Sequence, residues 1–203
     1  SPEFLTEAMR SGVREVLSLP VSAPALLEAI QRVERRKVLI SSPRHRGKIL
    51  AFIACKGGSG ATFLASNFAY VLAESFGKKV ALFDLNLQFG NASLYVTDRA
   101  PPSTLADEAA NIQRLDASFL ASSMIQVLPN FSILAAPESP ERAAEVKPAH
   151  IDALLELAIS QYDFIVLDIS RTLDAVSVRA LDRAELIFTV LQETLPFIRD
   201  AKR

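Results

Sequence analysis

Three of the chain's seven glycines fall in one tetrapeptide, Gly57-Gly58-Ser59-Gly60, and its position constrains the fold more than any other feature. The tetrapeptide follows Lys48-Ile-Leu-Ala-Phe-Ile-Ala-Cys55, a short apolar run of strand length, and precedes a segment with helical periodicity that starts at Thr62. Glycine opens backbone conformations closed to other residues and lets main-chain N–H groups approach a ligand closely. A helix N-terminus behind the loop adds unpaired N–H donors and the positive end of a dipole, so the whole element attracts phosphate. A mere flexible turn would need the glycines but not this context. Thr62, in the first helical turn, supplies a hydroxyl suited to a nucleotide's magnesium ion.

Four further apolar runs, 79–84, 131–136, 164–168 and 185–191, read as strands buried on both faces. Between them the spacing predicts a helix over 62–76, with Phe63, Leu64, Phe68, Val71, Leu72 and Phe76 in register. A second is predicted over 150–161, with Ile151, Leu154, Leu155, Leu157 and Ala158. Strands alternating with helices imply crossover connections. The expected fold is therefore α/β: a doubly wound, mostly parallel sheet with helices on both faces, running from about residue 47 to the end.

Composition removes several function classes. Lys plus Arg is 22 and Asp plus Glu is 23, which argues against a domain that coats nucleic acid. One cysteine, Cys55, excludes an intrachain disulfide framework and fits a reducing compartment. His45 and His150 have no Cys or His at ligand spacing, and no serine sits in a Gly-x-Ser-x-Gly turn. No stretch approaches the roughly 20 apolar residues of a spanning helix, and no signal pattern opens the chain. A soluble, cytoplasmic protein is expected.

The front of the chain reads differently. Residues 1–4, Ser-Pro-Glu-Phe, have the look of a cloning-vector remnant. Residues 5–36 read as a helix, a strand closed by Pro20, and an amphipathic helix bearing Leu26, Leu27, Ile30 and Val33. Residues 37–47 carry turn residues and positive charge, as a linker does. The basic stretch from Arg35 to Lys48, and Arg179 and Arg183 one helical turn apart, are expected to be solvated surface charge.

The loop departs from a standard phosphate-binding loop, because Ala61 stands where Gly-Lys-Thr would place lysine, while Lys56 opens the loop. Lys56-Gly-Gly-Ser-Gly-Ala-Thr62 resembles the deviant Walker A superfamily that includes MinD and ParA. Together with Phe83-Asp84-Leu-Asn-Leu-Gln-Phe-Gly90, Leu134-Ala-Ala-Pro-Glu138, Phe164-Ile-Val-Leu-Asp168 and the stretch from Thr194 to Lys202, it is similar to the CpaE/TadZ pilus-assembly branch. Residues 8–30 resemble the last helix, strand and helix of a receiver domain, which that branch carries before its ATPase. The resemblance implies a domain incomplete at both ends.

It also implies ATP and Mg²⁺ as ligands. Lys56, Gly57, Gly58, Ser59, Gly60, Ala61, Thr62 and Phe63 would hold the nucleotide; Thr62, Asp84 and Asp168 would organise the metal. Lys56, reaching across a homodimer to the partner's phosphates, and Asp84, in the first switch region, would carry the catalytic roles. Asn86 replaces a second switch carboxylate, and an amide can orient water but cannot take its proton. With Ala61 also lacking charge, hydrolysis is expected to be slow or absent and dependent on dimerisation. Arg171 is equally suited to a phosphate and to a surface carboxylate.

The expected role is an ATP-dependent switch that places and helps assemble a Tad/Flp-type pilus or secretion machine. Its partners would be proteins of that machine at the inner face of the cytoplasmic membrane, at a cell pole. Two alternatives stand beside it: a scaffold whose phosphate loop no longer switches, and a partition ATPase that binds DNA non-specifically.

Overall fold

The computed structural model describes residues 46–194; the expected vector remnant, receiver-like segment, most of the linker and the motif after Thr194 lie outside the described residues. Six strands form one sheet: β1 (Lys48–Ala54), β2 (Val80–Leu85), β3 (Ile125–Leu128), β4 (Phe131–Leu134), β5 (Phe164–Ile169) and β6 (Leu186–Val190). Their order across the sheet is β3-β4-β2-β5-β1-β6. All neighbours are parallel except β3, which turns at Pro129-Asn130 and pairs antiparallel with β4. The five strands expected from the sequence are present. β3 was not foreseen, since Ile125-Gln-Val-Leu128 is too short to stand out beside the run that follows it.

Side chains sort onto the two faces by strict alternation. Ala81, Phe83 and Leu85 of β2, with Ile165, Leu167 and Ile169 of β5, join one core. Val80 and Leu82 of β2, with Val166 of β5, join the other. The first core is closed by α2 (Leu105–Ala110), α3 (Ala117–Ser123), the short α4 (Pro140–Ala143), α5 (Pro148–Ala158) and α6 (Ala175–Arg183). Of the five residues expected to face inward on α5, Ile151, Leu154, Leu155 and Ala158 are fully buried, and Leu157 is partly buried against the same core.

The second face is covered by α1 (Ala61–Glu74), which presents a different stripe to the sheet from the one its spacing predicts. Of the six residues expected to face inward, Phe63, Leu64, Phe68 and Val71 are exposed, as is Phe76 beyond the helix end, while Leu72 packs partly buried against the core. The buried stripe is Ala61, Ala65, Ala69 and Ala73, four residues apart, with Ser66 beside it. Small side chains let the helix axis lie close to the strands, so the bulky residues at the same periodicity are turned outward. Phe68 still packs sideways, its ring 5.4 Å from Phe52 and 6.0 Å from Phe188. β6 departs from expectation too. Leu186, Ile187 and Phe188 are exposed, because among the described residues only β1 pairs with this strand.

Arg179 and Arg183 are not solvated helix charges. Arg179 Nε donates to Asp152 Oδ2 at 2.8 Å, while Arg183 donates to Asp152 Oδ1 and Glu156 Oε2, both at 2.8 Å. The three bonds clamp α6 to α5 beside the first core. Asp152→Ala is expected to lower the melting temperature by a few degrees, from a loss of about 1 kcal/mol at about 2–4 °C each. The difference should shrink in molar salt, and an equal loss at both salt concentrations would mean that packing rather than charge holds the helices.

Candidate functional site: a glycine loop over paired carboxylates

β1 delivers the chain to the C-terminal edge of the sheet, where residues 55–60 turn it into α1. Gly58 and Gly60 adopt φ of 82° and 89°, a region that disfavours any side chain, and Gly60 caps α1 with its carbonyl bonded to Leu64 N–H at 2.9 Å. A Cβ on Gly57, Gly58 or Gly60 would meet nothing within 4 Å, so these glycines keep the surface before the helix open rather than fitting a packed neighbour. That surface walls a cleft of about 480 Å³, within the usual range for a small-molecule site. The cleft is closed by two other segments, 86–89 and 169–174, with Tyr95 at its side.

The register of β2 and β5 places Asp84 directly opposite Asp168. By alternation both belong to the face that α1 covers, beneath the helix N-terminus. Both are almost fully buried, at 2% and 1% exposure. Asp84 accepts N–H bonds from Asn86 at 3.1 Å and Ala92 at 2.9 Å, so it ties down the 86–92 segment. Gly90 is required there, since a Cβ would lie 2.6 and 2.7 Å from the two Asp84 oxygens. Asp168 accepts a bond from the Thr62 hydroxyl, but its Oδ2 is buried with no hydrogen-bond partner. Ser59 Oγ in the loop is orphaned in the same way.

Burial pushes the Asp84 carboxyl up to about 6, against the pull of the Ala92 and Asn86 N–H groups. Burial, and secondarily the neighbouring Asp84 charge, raise Asp168 to about 7 despite the Thr62 hydroxyl. A buried carboxylate with an orphaned oxygen, a second carboxylate beside it and a hydroxyl on the first helical turn make a donor set that fits Mg²⁺. Among the described residues no three His, Cys, Asp or Glu side chains gather to hold a metal alone. This suits magnesium, which keeps waters and takes phosphate oxygens rather than a full protein cage.

Of the residues expected to hold nucleotide, Gly57, Gly58, Ser59, Gly60, Ala61, Thr62 and Phe63 line the cleft. Lys56, half-buried at the start of the loop, does not. Asp84 and Asp168 lie beneath the cleft rather than on its wall. Asn86 and Arg171, both weighed from sequence, do line it. Gln88 and Phe89 also line it, inside the quoted Phe83–Gly90 motif but with no role expected of them, while Tyr95, Thr172 and Asp174 reach it from segments that carry no motif. Phe63 and Tyr95 meet edge to face at 5.9 Å across its rim.

The unfolded chain releases the Asp168 proton near pH 3.8, while the folded protein keeps it to about 7, so this group costs stability as pH rises through that window. Asp168→Asn removes the cost. Without divalent metal, the variant is expected to melt with wild type near pH 4 and several degrees above it near pH 8. A variant that melts below wild type at the higher pH would rule out desolvation as the cause.

The AAA domain family model matches residues 47–196. An uncharacterized ATP-binding protein of Methanocaldococcus jannaschii is 27% identical over 153 residues, covering 75% of this chain and 55% of that protein. The septum site-determining protein MinD of Synechocystis is 26% identical over 157 residues, covering 77% and 57%. The chain thus spans little more than half the length of these curated relatives. The crystal structure of a ParA family ATPase from Chlorobium tepidum superposes with a TM-score of 0.72 at 28% identity, over 76% of this chain and 64% of that one. The glycine loop, the parallel sheet and the family match agree: the chain belongs to the AAA domain family, within the MinD/ParA superfamily of P-loop ATPases.

Proposed function

We propose that the chain binds Mg-ATP and acts as a nucleotide-dependent switch. The observation that carries this is the stack of a glycine loop, Thr62 and the orphaned Asp168 oxygen beneath a cleft of about 480 Å³. Backbone N–H groups of the loop and of the first turn of α1 would hold phosphate oxygens. Bound Mg²⁺ would offset phosphate charge, held through Thr62 and through waters on Asp168 and Asp84. Asn86, on the cleft wall, can orient a water molecule but has no basic oxygen to take its proton. Hydrolysis would accordingly be slow, and the bound state long-lived.

Lys56 stands outside the cleft lining of its own chain, which suits a lysine directed at a second protomer. We infer an ATP-favoured homodimer in which each Lys56 reaches the other's phosphates. Mg-ATP is then expected to shift the sedimentation coefficient from monomer to dimer, and Lys56→Ala to leave the protein monomeric while it still binds nucleotide. One association state with and without Mg-ATP would sink the dimer.

The particular role rests on the motif pattern, with Ala61 and Asn86 among the residues shared with the CpaE/TadZ branch. It supports a protein that positions a Tad/Flp-type pilus or secretion machine through partners at the cytoplasmic face of the inner membrane. In host cells, replacing the gene with the Lys56→Ala allele is expected to remove surface pili and scatter a fluorescent fusion from the pole. A scaffold reading draws on the uncharged Ala61, and piliation that survives the Lys56→Ala allele would favour it.

A further inference from the structure

The glycine loop has a charge deficit at its helical end. Where a second lysine would point at phosphate, Ala61 is 5% exposed and packs in the core beneath α1. A cation at that position would have to leave the core side of the helix. Lys56 does not line the cleft either. A nucleoside triphosphate with its magnesium still carries about two negative charges, and phosphoryl groups are held best where fixed cations offset them.

Among the described residues that line the cleft, two are charged, Arg171 and Asp174. Asp174 is already used: it caps α6, its Oδ1 accepting the Ser177 N–H at 2.7 Å. Arg171 is exposed and forms no ion pair among the described residues, not even with Asp174 three positions on. It lies on the loop that leaves β5, three residues beyond Asp168, and that loop is braced by Ser170 Oγ donating to the Thr172 carbonyl at 3.2 Å. It shares the lining of one cleft with the glycine loop and the first turn of α1, whose N–H donors it would join at a bound anion. Its planar fork of donors matches two phosphate oxygens at once.

We propose that Arg171 replaces the lysine missing at Ala61, holding a phosphate of the bound nucleoside triphosphate from the loop that follows β5. The inference rests on the nucleotide-binding reading above. Charge that the superfamily places on the P-loop is here supplied by the loop after β5, so phosphate binding also fixes the 170–174 segment.

Calorimetric titration of the chain with Mg-ATP and, separately, with magnesium tripolyphosphate tests this without any measurement of hydrolysis. The second probe has no base or sugar, so it isolates the phosphate contacts. Arg171→Ala is expected to weaken both by about tenfold or more, the effect of a lost charge-assisted hydrogen bond. Arg171→Lys keeps the charge but not the fork and should fall between. Arg114→Ala, which removes an exposed arginine outside the cleft, should bind as wild type does. An unchanged melting temperature for Arg171→Ala would show that the fold is intact. Wild-type binding with Arg171→Ala within twofold of it overturns the assignment and leaves nucleotide binding standing. A wild-type chain that takes up neither probe overturns the nucleotide reading and this inference together.

Discussion

Two carboxylates side by side in the interior of a protein repel each other and lose their hydration, and the structure around Asp84 and Asp168 is organised about that cost. Neighbouring parallel strands put them in register, and the alternation of the strands puts both on the face covered by α1. Asp84 is relieved by two main-chain N–H groups, so its burial fixes the 86–92 segment in place. Asp168 is relieved only by the Thr62 hydroxyl and keeps an unpartnered oxygen. Folding leaves this pair poorly satisfied, and a divalent cation would satisfy it. Polar strain of this kind collects where a protein binds something.

The alanine stripe of α1 follows from the same geometry. For Thr62 to reach Asp168, the N-terminus of the helix must lie close over the strands, and Ala61, Ala65, Ala69 and Ala73 permit that approach. Leucines in their place would lift the helix off the sheet. The large residues displaced to the outer side leave Phe63 on the cleft rim against Tyr95 and Phe68 against the rings of Phe52 and Phe188. Ala61 therefore belongs to the packing of the helix as well as to the loop. Where its lysine counterpart would bring charge, this chain has a methyl group seated in the core, and among the described residues the cation that lines the cleft is Arg171.

Much of this was legible in the residues. The glycine loop between an apolar run and a helix, the strand-end positions of Asp84 and Asp168, and Thr62 on the first turn all have local signatures that need no fold to recognise. Spacing misled where two faces of one helix carry the same period: alanines and large apolar residues both recur along α1, and periodicity alone does not say which set faces inward. Arg179 and Arg183 look like solvent charges in the sequence because their partners, Asp152 and Glu156, lie far away along the chain. β3 escaped notice because four residues beside a turn have too little pattern to separate from the next strand.

Local pattern alone carries five of the six strands, the helices α1 and α5, the glycine loop and the carboxylates at the strand ends, since each depends on neighbours within a few positions. Assembly of the sheet is what sets Asp84 and Asp168 opposite each other, leaves Lys56 off the cleft with Arg171 on it, and seats α1 on the strands through alanine. These are matters of strand register and of loops from separate crossovers converging at one edge. Contacts between residues dozens of positions apart are set by how the sheet is assembled, and no local pattern records them.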